Sequence, residues 1–294
     1  LAALEDATER LELAITIVDH LESVCSEPAL REAHNKVQPE VGAFFASIPL
    51  HEKLWAALKE LAAADDARGL TGVKRRFLDK TIDDFKRHGA DLPPSGKQRL
   101  EAISRELTEI TNTFSQNLLD STAEWELIVE DEAKLTGLPK SAREQARASA
   151  EKKGKSGYRF TLQAPSVIAV MTYLDDASIR EQVYRAYNRR AVDEARDNRP
   201  LIRRILELRR EKAALLGYRD FADLTLHDRM AKNGDAAARF VADLETKTRA
   251  AFEREKRELT EFRRRLEGAG AADLAAWDVG YYAEKQRKAL FDFD

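Results

Sequence analysis

The chain has 294 residues, of which 43% are hydrophobic and 34% charged, and its 49 basic residues are nearly balanced by 52 acidic ones for a net charge of −3. That apolar content is enough for a sizeable core and excludes wholesale disorder, while the balanced charge excludes a globally basic nucleic-acid footprint. A single cysteine, Cys25, excludes an internal disulfide framework, and no apolar run approaches the ~18 residues of a membrane-spanning helix.

Residues 4–24 place Leu, Ile and Val among acids at helical spacing, and a second helix is expected after Pro28, kinked at Pro39 before Phe44 and Phe45 reach the core. Ser47-Ile48-Pro49 is a break. The next helix runs from Pro49 to about Ala64 with Leu54, Trp55, Leu58 and Leu61 as its apolar face. Gly69 to Gly72 punctuates the chain, and Val73 to His88 is helical with Phe77, Ile82 and Phe85 inward, ended by Gly89. After the rigid turn Leu92-Pro93-Pro94-Ser95-Gly96, Leu100, Ile103, Leu107, Ile110, Phe114 and Leu118 form the cleanest helical stripe in the protein. A run of about 26 residues spans roughly 39 Å, which reads as a strut.

Only two strand signals occur, Trp125–Val129 and Tyr158–Leu162. Both are short and rich in aromatic and β-branched residues, and they are expected to pair as an antiparallel ribbon. Ser141 to Lys153 between them has few large apolar residues and reads as a solvent-facing helix or mobile loop. Pro165 starts another helix, Asp175-Asp176 caps one over Ala177 to Ala191, and Arg199 to Leu226 forms a helical hairpin broken at Gly217 and recapped by Asp220. Asn233-Gly234-Asp235 is a turn with Asp235 as cap for a long helix, Ala236 to Leu266, marked by Phe240, Leu244, Phe252, Leu259, Phe262 and Leu266. Gly268 and Gly270 end it, Asp273 caps, and Trp277, Tyr281 and Tyr282 lie on the final helix. The class is mainly α: a multi-helical bundle of antiparallel helices and hairpins with one small antiparallel β ribbon. No internal repeat and no firm internal domain boundary stands out.

No catalytic constellation is recognisable. The histidines are His20, His34, His51, His88 and His227. His51-Glu52-Lys53-Leu54-Trp55 begins like a helical zinc motif, but Trp55 holds the place of the second imidazole, one turn on, that such a site needs. Ser95-Gly96-Lys97 lacks both the first glycine and the following Ser or Thr of a phosphate loop and reads as a helix start. Basic runs such as Lys74-Arg75-Arg76 and Arg263-Arg264-Arg265 read as solvated helix faces, and the acid pairs Asp65-Asp66, Asp83-Asp84 and Asp175-Asp176 as caps. Catalytic, cofactor-binding and metal-binding residues are therefore expected to be absent from this chain.

Four blocks nevertheless carry a resemblance in register: Leu100–Asp131, Gly157–Tyr187, the hairpin at Leu206–Lys232, and Ala276–Arg287, with weaker similarity around Arg31–Leu61. Together they resemble the thimet oligopeptidase-like zinc metallopeptidases, and within them the bacterial oligopeptidase A type. The resemblance implies a cytoplasmic metalloendopeptidase, a hydrolase of short peptides, built of two halves facing a deep channel. It implies zinc held by two histidines of H-E-x-x-H and a later glutamate, none of which maps onto a residue here. Residues 1–294 thus read as the N-terminal helical portion, its partners being short peptides and a missing C-terminal catalytic half, with neither nucleic acid nor membrane. Alone it is expected to bind no zinc and cleave nothing. The alternative is a stand-alone helical adaptor on the same scaffold. The start at Leu1, with methionines only at 171 and 230, and the apolar end lead to the expectation of a piece of a larger protein. They also lead to the expectation of an exposed patch at Trp277, Tyr281, Tyr282, Leu290, Phe291 and Phe293.

Overall fold

The computed structural model describes residues 2–25, 27–193 and 195–291. In chain order its helices are α1 (Ala2–Cys25), α2 (Pro28–Ser47), α3 (Glu52–Ala63), α4 (Asp65–Arg68), α5 (Gly72–Arg87), α6 (Pro94–Glu124) and α7 (Lys140–Lys152). They continue as α8 (Ala164–Tyr173), α9 (Ala177–Asn188), α10 (Asn198–Leu215), α11 (Phe221–Leu226), α12 (Gly234–Glu267) and α13 (Val279–Phe291). Strands β1 (Glu126–Val129) and β2 (Tyr158–Thr161) form the expected antiparallel ribbon, with Leu127 opposite Phe160 and Val129 opposite Tyr158. The chain divides into two compact units, Leu1–Ser115 with Arg199–Ala237, and Gln116–Asn198 with Ala238–Asp294.

The core of the first unit forms where α3 and α5 meet. Trp55, Leu58, Phe85 and Ala90 are buried together, and the Trp55 indole stacks on Phe85 at 6.0 Å while its Nε1 donates to Asp91 Oδ1 at 2.9 Å. Gly89, at φ +94°, lets the chain leave α5. An added Cβ there would lie 2.5 Å from Leu100 Cδ2, so no side chain fits without displacing the α6 stripe. On α5 the buried apolar residues are Leu78 and Phe85, and Phe77 is exposed, contrary to the sequence expectation. The positions 78, 81/82 and 85 keep helical spacing with the buried Phe85, whereas 77 falls off that face. Phe44 and Leu61 are likewise exposed. No residue of α1 is buried; it lies along α2 through Asp19–His34 at 2.8 Å and Glu22–Arg31 at 3.2 Å.

The second unit is organised by the ribbon and one arginine. Val129, Leu135, Leu138, Tyr158, Phe160, Val170, Leu174, Ile179 and Val183 make a single core. The segment left open as helix or loop is helix α7, and it packs its small residues Ala146 and Ala150 inward. Arg180 on α9 is buried in full. It donates through Nη1 to the Leu174 and Asp175 carbonyls at 2.7 and 2.9 Å, through Nε to the Trp277 carbonyl at 3.2 Å, and through Nη2 to Asp278 Oδ1 at 2.6 Å. It thereby satisfies carbonyls beyond the end of α8 and fixes the entry to α13. The second oxygen of Asp278 accepts from Arg263 Nη1 at 3.0 Å, and the Tyr281 ring lies 4.0 Å from the Arg180 guanidinium.

Several sequence expectations change here. Asn233, not Asp235, caps α12, its Oδ1 accepting from Ala236 N at 2.8 Å, while Asp235 accepts both Arg219 Nη atoms at 2.9 and 3.0 Å. Asp273 caps nothing: it is exposed and sits 3.7 Å from Arg264. Trp277 precedes α13 rather than lying on it. On α12 only Leu259 and Phe262 of the marked residues are buried, and every residue from 238 to 250 is exposed. The expected terminal patch is smaller than the sequence suggests. Leu290 and Phe291 are exposed, but Tyr281 and Tyr282 are buried against Leu259 and Leu274. Their hydroxyls donate to Asp175 and Glu267, which makes that burial tolerable. Phe293 lies outside the described residues.

Candidate functional site

The histidine that begins like a zinc motif does something local. His51 is the N-cap of α3, its Nδ1 accepting from Leu54 N at 3.2 Å, and the residue one turn on, Trp55, is buried in the core. Likewise Lys97 does not reach for a phosphate; its Nζ donates to the Leu50 carbonyl at 3.3 Å. His34 pairs with Asp19, and His227 stacks edge-on against Tyr218 with ring centroids 5.6 Å apart. Cys25 is exposed. Among the described residues, no group of three or more His, Cys, Asp or Glu side chains is arranged to hold a metal ion. The donor set present therefore does not fit zinc, which takes three or four such ligands at about 2.0–2.3 Å.

In the first unit a cleft of about 430 Å³ lies between α1, the turn at Ile48–Leu50 and α5. Phe45, Ile48, Pro49 and Phe85 give it an apolar floor, and Lys80, Asp84, Arg87, His88 and Asp228 a charged rim. The rim is paired internally. Lys80 bridges to Asp228, Arg87 Nη2 reaches Asp84 Oδ1 at 2.6 Å and Asp228 Oδ2 at 3.9 Å, and His88 Nδ1 lies 2.8 Å from the Asp84 carbonyl and 3.4 Å from its carboxylate. Its hydrogen bond to the Asp84 side chain raises the His88 pKa, against the opposing effect of burial, and the same bond lowers that of Asp84. Burial pushes the nearby Lys212 ammonium down.

This wiring limits the chemistry. With its pKa raised, the His88 imidazole keeps its proton to higher pH than a free one, and is to that extent less available as a base. The hydroxyl of Thr81 is committed to the Phe77 carbonyl at 2.9 Å, and that of Thr8 to Glu12 at 2.7 Å. One donor remains: Arg87 Nε is buried with no hydrogen-bond partner among the described residues. The cleft's apolar floor and paired rim can receive a partly apolar guest. Asp84 and Asp175, read from sequence as caps, instead bind side chains. Asp175 accepts from Tyr281 at 2.6 Å and lies 3.1 Å from Lys285, while Asp176 alone caps α9, accepting from Ser178 N and Ile179 N. Sequence reasoning passed over Arg180 and Asp278 because a lone arginine in a charged helix carries no signal; their partnership spans 98 positions.

The comparisons with known proteins place this scaffold. The Peptidase family M3 profile matches residues 170–294, and that described as Neurolysin/Thimet oligopeptidase, N-terminal domain, matches residues 1–99. The chain belongs to peptidase family M3. It is 36% identical to oligopeptidase A of Salmonella typhimurium over 293 residues, covering 98% of this chain, and 36% identical to oligopeptidase A of Escherichia coli over 296 residues, covering 99%. The dipeptidyl carboxypeptidase of Escherichia coli is 26% identical over 295 residues. The chain spans 43% of the length of each of these relatives. No described helix is long and apolar enough to cross a membrane.

Proposed function

We propose that this chain is the helical, channel-wall portion of a zinc-dependent oligopeptidase that hydrolyses short peptides, and that the metal ligands and the catalytic glutamate come from outside these 294 residues. The observation that carries the reading is the continuous match: 98–99% of the chain aligns with proteins named oligopeptidase A at 36% identity. The lack of a fitting ligand set among the described residues agrees with the second half of the proposal. On this reading the chain neither retains zinc nor cleaves peptides unaided, and its helices exclude large substrates from a site built elsewhere. A cytoplasmic setting goes with it, supported by the relative named probable cytosolic oligopeptidase A from Arabidopsis thaliana, although another from the same plant is named organellar.

The test is direct. Purified chain is incubated with zinc, dialysed, and assayed for bound metal and for cleavage of a quenched fluorescent peptide. The expected result is metal well below one equivalent and no turnover above the buffer rate. Chelator-sensitive cleavage with stoichiometric zinc would overturn the proposal.

A further inference from the structure

A second concavity, of about 420 Å³, lies in the second unit where the ribbon begins and ends. Trp125, the residue before β1, and Leu162, the residue after β2, line it with Ala186 and Val192, and Arg189 stands on its wall. Arg189 differs from its neighbours. Arg185 pairs with Glu181 at 2.7 Å, Arg190 donates to the Tyr187 carbonyl at 2.8 Å and to Thr122 at 3.2 Å, and Arg196 pairs with Glu124. The Arg189 guanidinium has no hydrogen-bond or ion-pair partner among the described residues.

Its backbone is held in place at a cost. Two residues on, Ala191 takes φ +53°, a left-handed conformation unusual for a residue with a Cβ. Its N–H donates to Ser121 Oγ at 3.0 Å and its carbonyl accepts from Asn198 N at 2.9 Å. Ser121 itself lines the cleft. The bend that follows α9 and places Arg189 on the cleft that Trp125 also lines is thus fixed before any ligand arrives.

The strand that starts at this cleft has an open edge. Thr161 N donates to Ser166 Oγ at 3.0 Å rather than across the ribbon, so Glu126 and Thr161 face each other as a non-hydrogen-bonded pair. By the alternation of antiparallel ladders, Glu126 and Ile128 then turn their backbone N–H and C=O groups away from β2. Among the described residues nothing bonds to them. A third strand laid antiparallel on that edge would run from Val129 towards Glu126, so its C-terminus would arrive beside Trp125.

We propose that this cleft binds the carboxyl terminus of a short extended peptide: β1 supplies main-chain hydrogen bonds, Trp125 and Leu162 receive an apolar last side chain, and Arg189 pairs with the terminal carboxylate. The cleft's acids are already engaged, Glu124 by the Arg196 side chain and Asp193 by the Arg196 N–H at 3.1 Å, so Arg189 is the lining cation left to match a carboxylate attached to an apolar residue, and it mismatches an amine or an internal amide. The assignment rests on the peptide-handling reading above and adds to it a site and a polarity.

The test uses the whole chain and two probes, an N-acetylated tetrapeptide ending in phenylalanine with a free carboxylate, and the same peptide as its C-terminal amide. Binding is followed by isothermal titration calorimetry. The expected result is that the acid binds at least about tenfold more tightly than the amide, the usual scale for a charge-assisted bond. Arg189→Gln should bring the acid down to the level of the amide and leave the amide unchanged; Arg185→Gln should change neither. Equal binding of acid and amide would overturn the Arg189 site while leaving peptide handling intact. Binding of neither probe would overturn the site outright, and the zinc and cleavage assay decides the broader reading independently.

Discussion

Two sets of arginines make the same chemical pair in opposite surroundings. In the first unit α6 and α10 are joined by two forks, Arg99–Glu211 at 2.5 and 2.7 Å and Arg204–Glu106 at 2.6 and 3.0 Å, on side chains that are 36–45% exposed. In the second unit Arg180 and Asp278 meet with 2% and 5% of their side chains exposed. Geometry alone ranks them equal. Solvent decides otherwise: water screens the forks and competes for their hydrogen bonds, while loss of one member of the buried pair leaves the other's charge uncompensated away from water. The forks tune the surface, and the buried pair holds the approach to α13.

Breaking the buried pair should give the largest effect. Asp278→Ala strands both the Arg180 guanidinium and an Arg263 bond, and should cost about 3–5 kcal/mol in the denaturation of the second unit. A shift of under 1 kcal/mol in urea melts would remove the hub from this account. Arg180→Met, which takes away the buried cation as well as its bonds, tests how much of that loss comes from the stranded charge.

Next comes the backbone beside that hub. Gly137 sits at φ +89°, and an added Cβ would lie 2.2 Å from the Tyr173 carbonyl oxygen. Gly137→Ala should therefore destabilise by more than about 1 kcal/mol, since it meets both the left-handed strain and a backbone clash. Thermal melting of the variant against the parent is the check.

A smaller effect should come from the rim of the first cleft, and it should depend on pH. The His88 pKa is raised in the folded chain, so the stability it contributes is complete below the ordinary imidazole value of 6.5 and fades as pH rises through the folded value. Asp84 is lowered, so its contribution is present above 3.8 and fades only in stronger acid. Stability from the pair should be greatest at about pH 4–6 and fall towards pH 8. The imidazole is half exposed, so the change should stay below about 1 kcal/mol. In His88→Gln that slope should be gone. An unchanged slope would assign the titration to another group.

Smallest of all should be the forks. Glu106→Gln and Glu211→Gln should leave the denaturation midpoint within error at physiological salt, and a large loss would mean that solvent screening is weaker at these helices than their exposure implies.

The helical class, the hairpin at Gly217, the ribbon and its pairing, and the caps at Asp176 and Asp220 could all be read from the sequence. So could the place of Trp55 one turn after His51. Each of these depends on spacing within one or two turns, where propensity and periodicity act directly. Tertiary structure alone decided that Leu78 and not Phe77 is buried, that Asn233 and not Asp235 caps α12, and that Tyr281 and Tyr282 are covered while Phe240 is not. It also brought Arg180 to Asp278 and left Arg189 without a partner among the described residues. Such outcomes depend on which faces meet after the chain has folded, and charged residues make up a third of this sequence. With so many equivalent candidates, local pattern cannot say which arginine will find which carboxylate; burial selects the pair by making every other arrangement more costly.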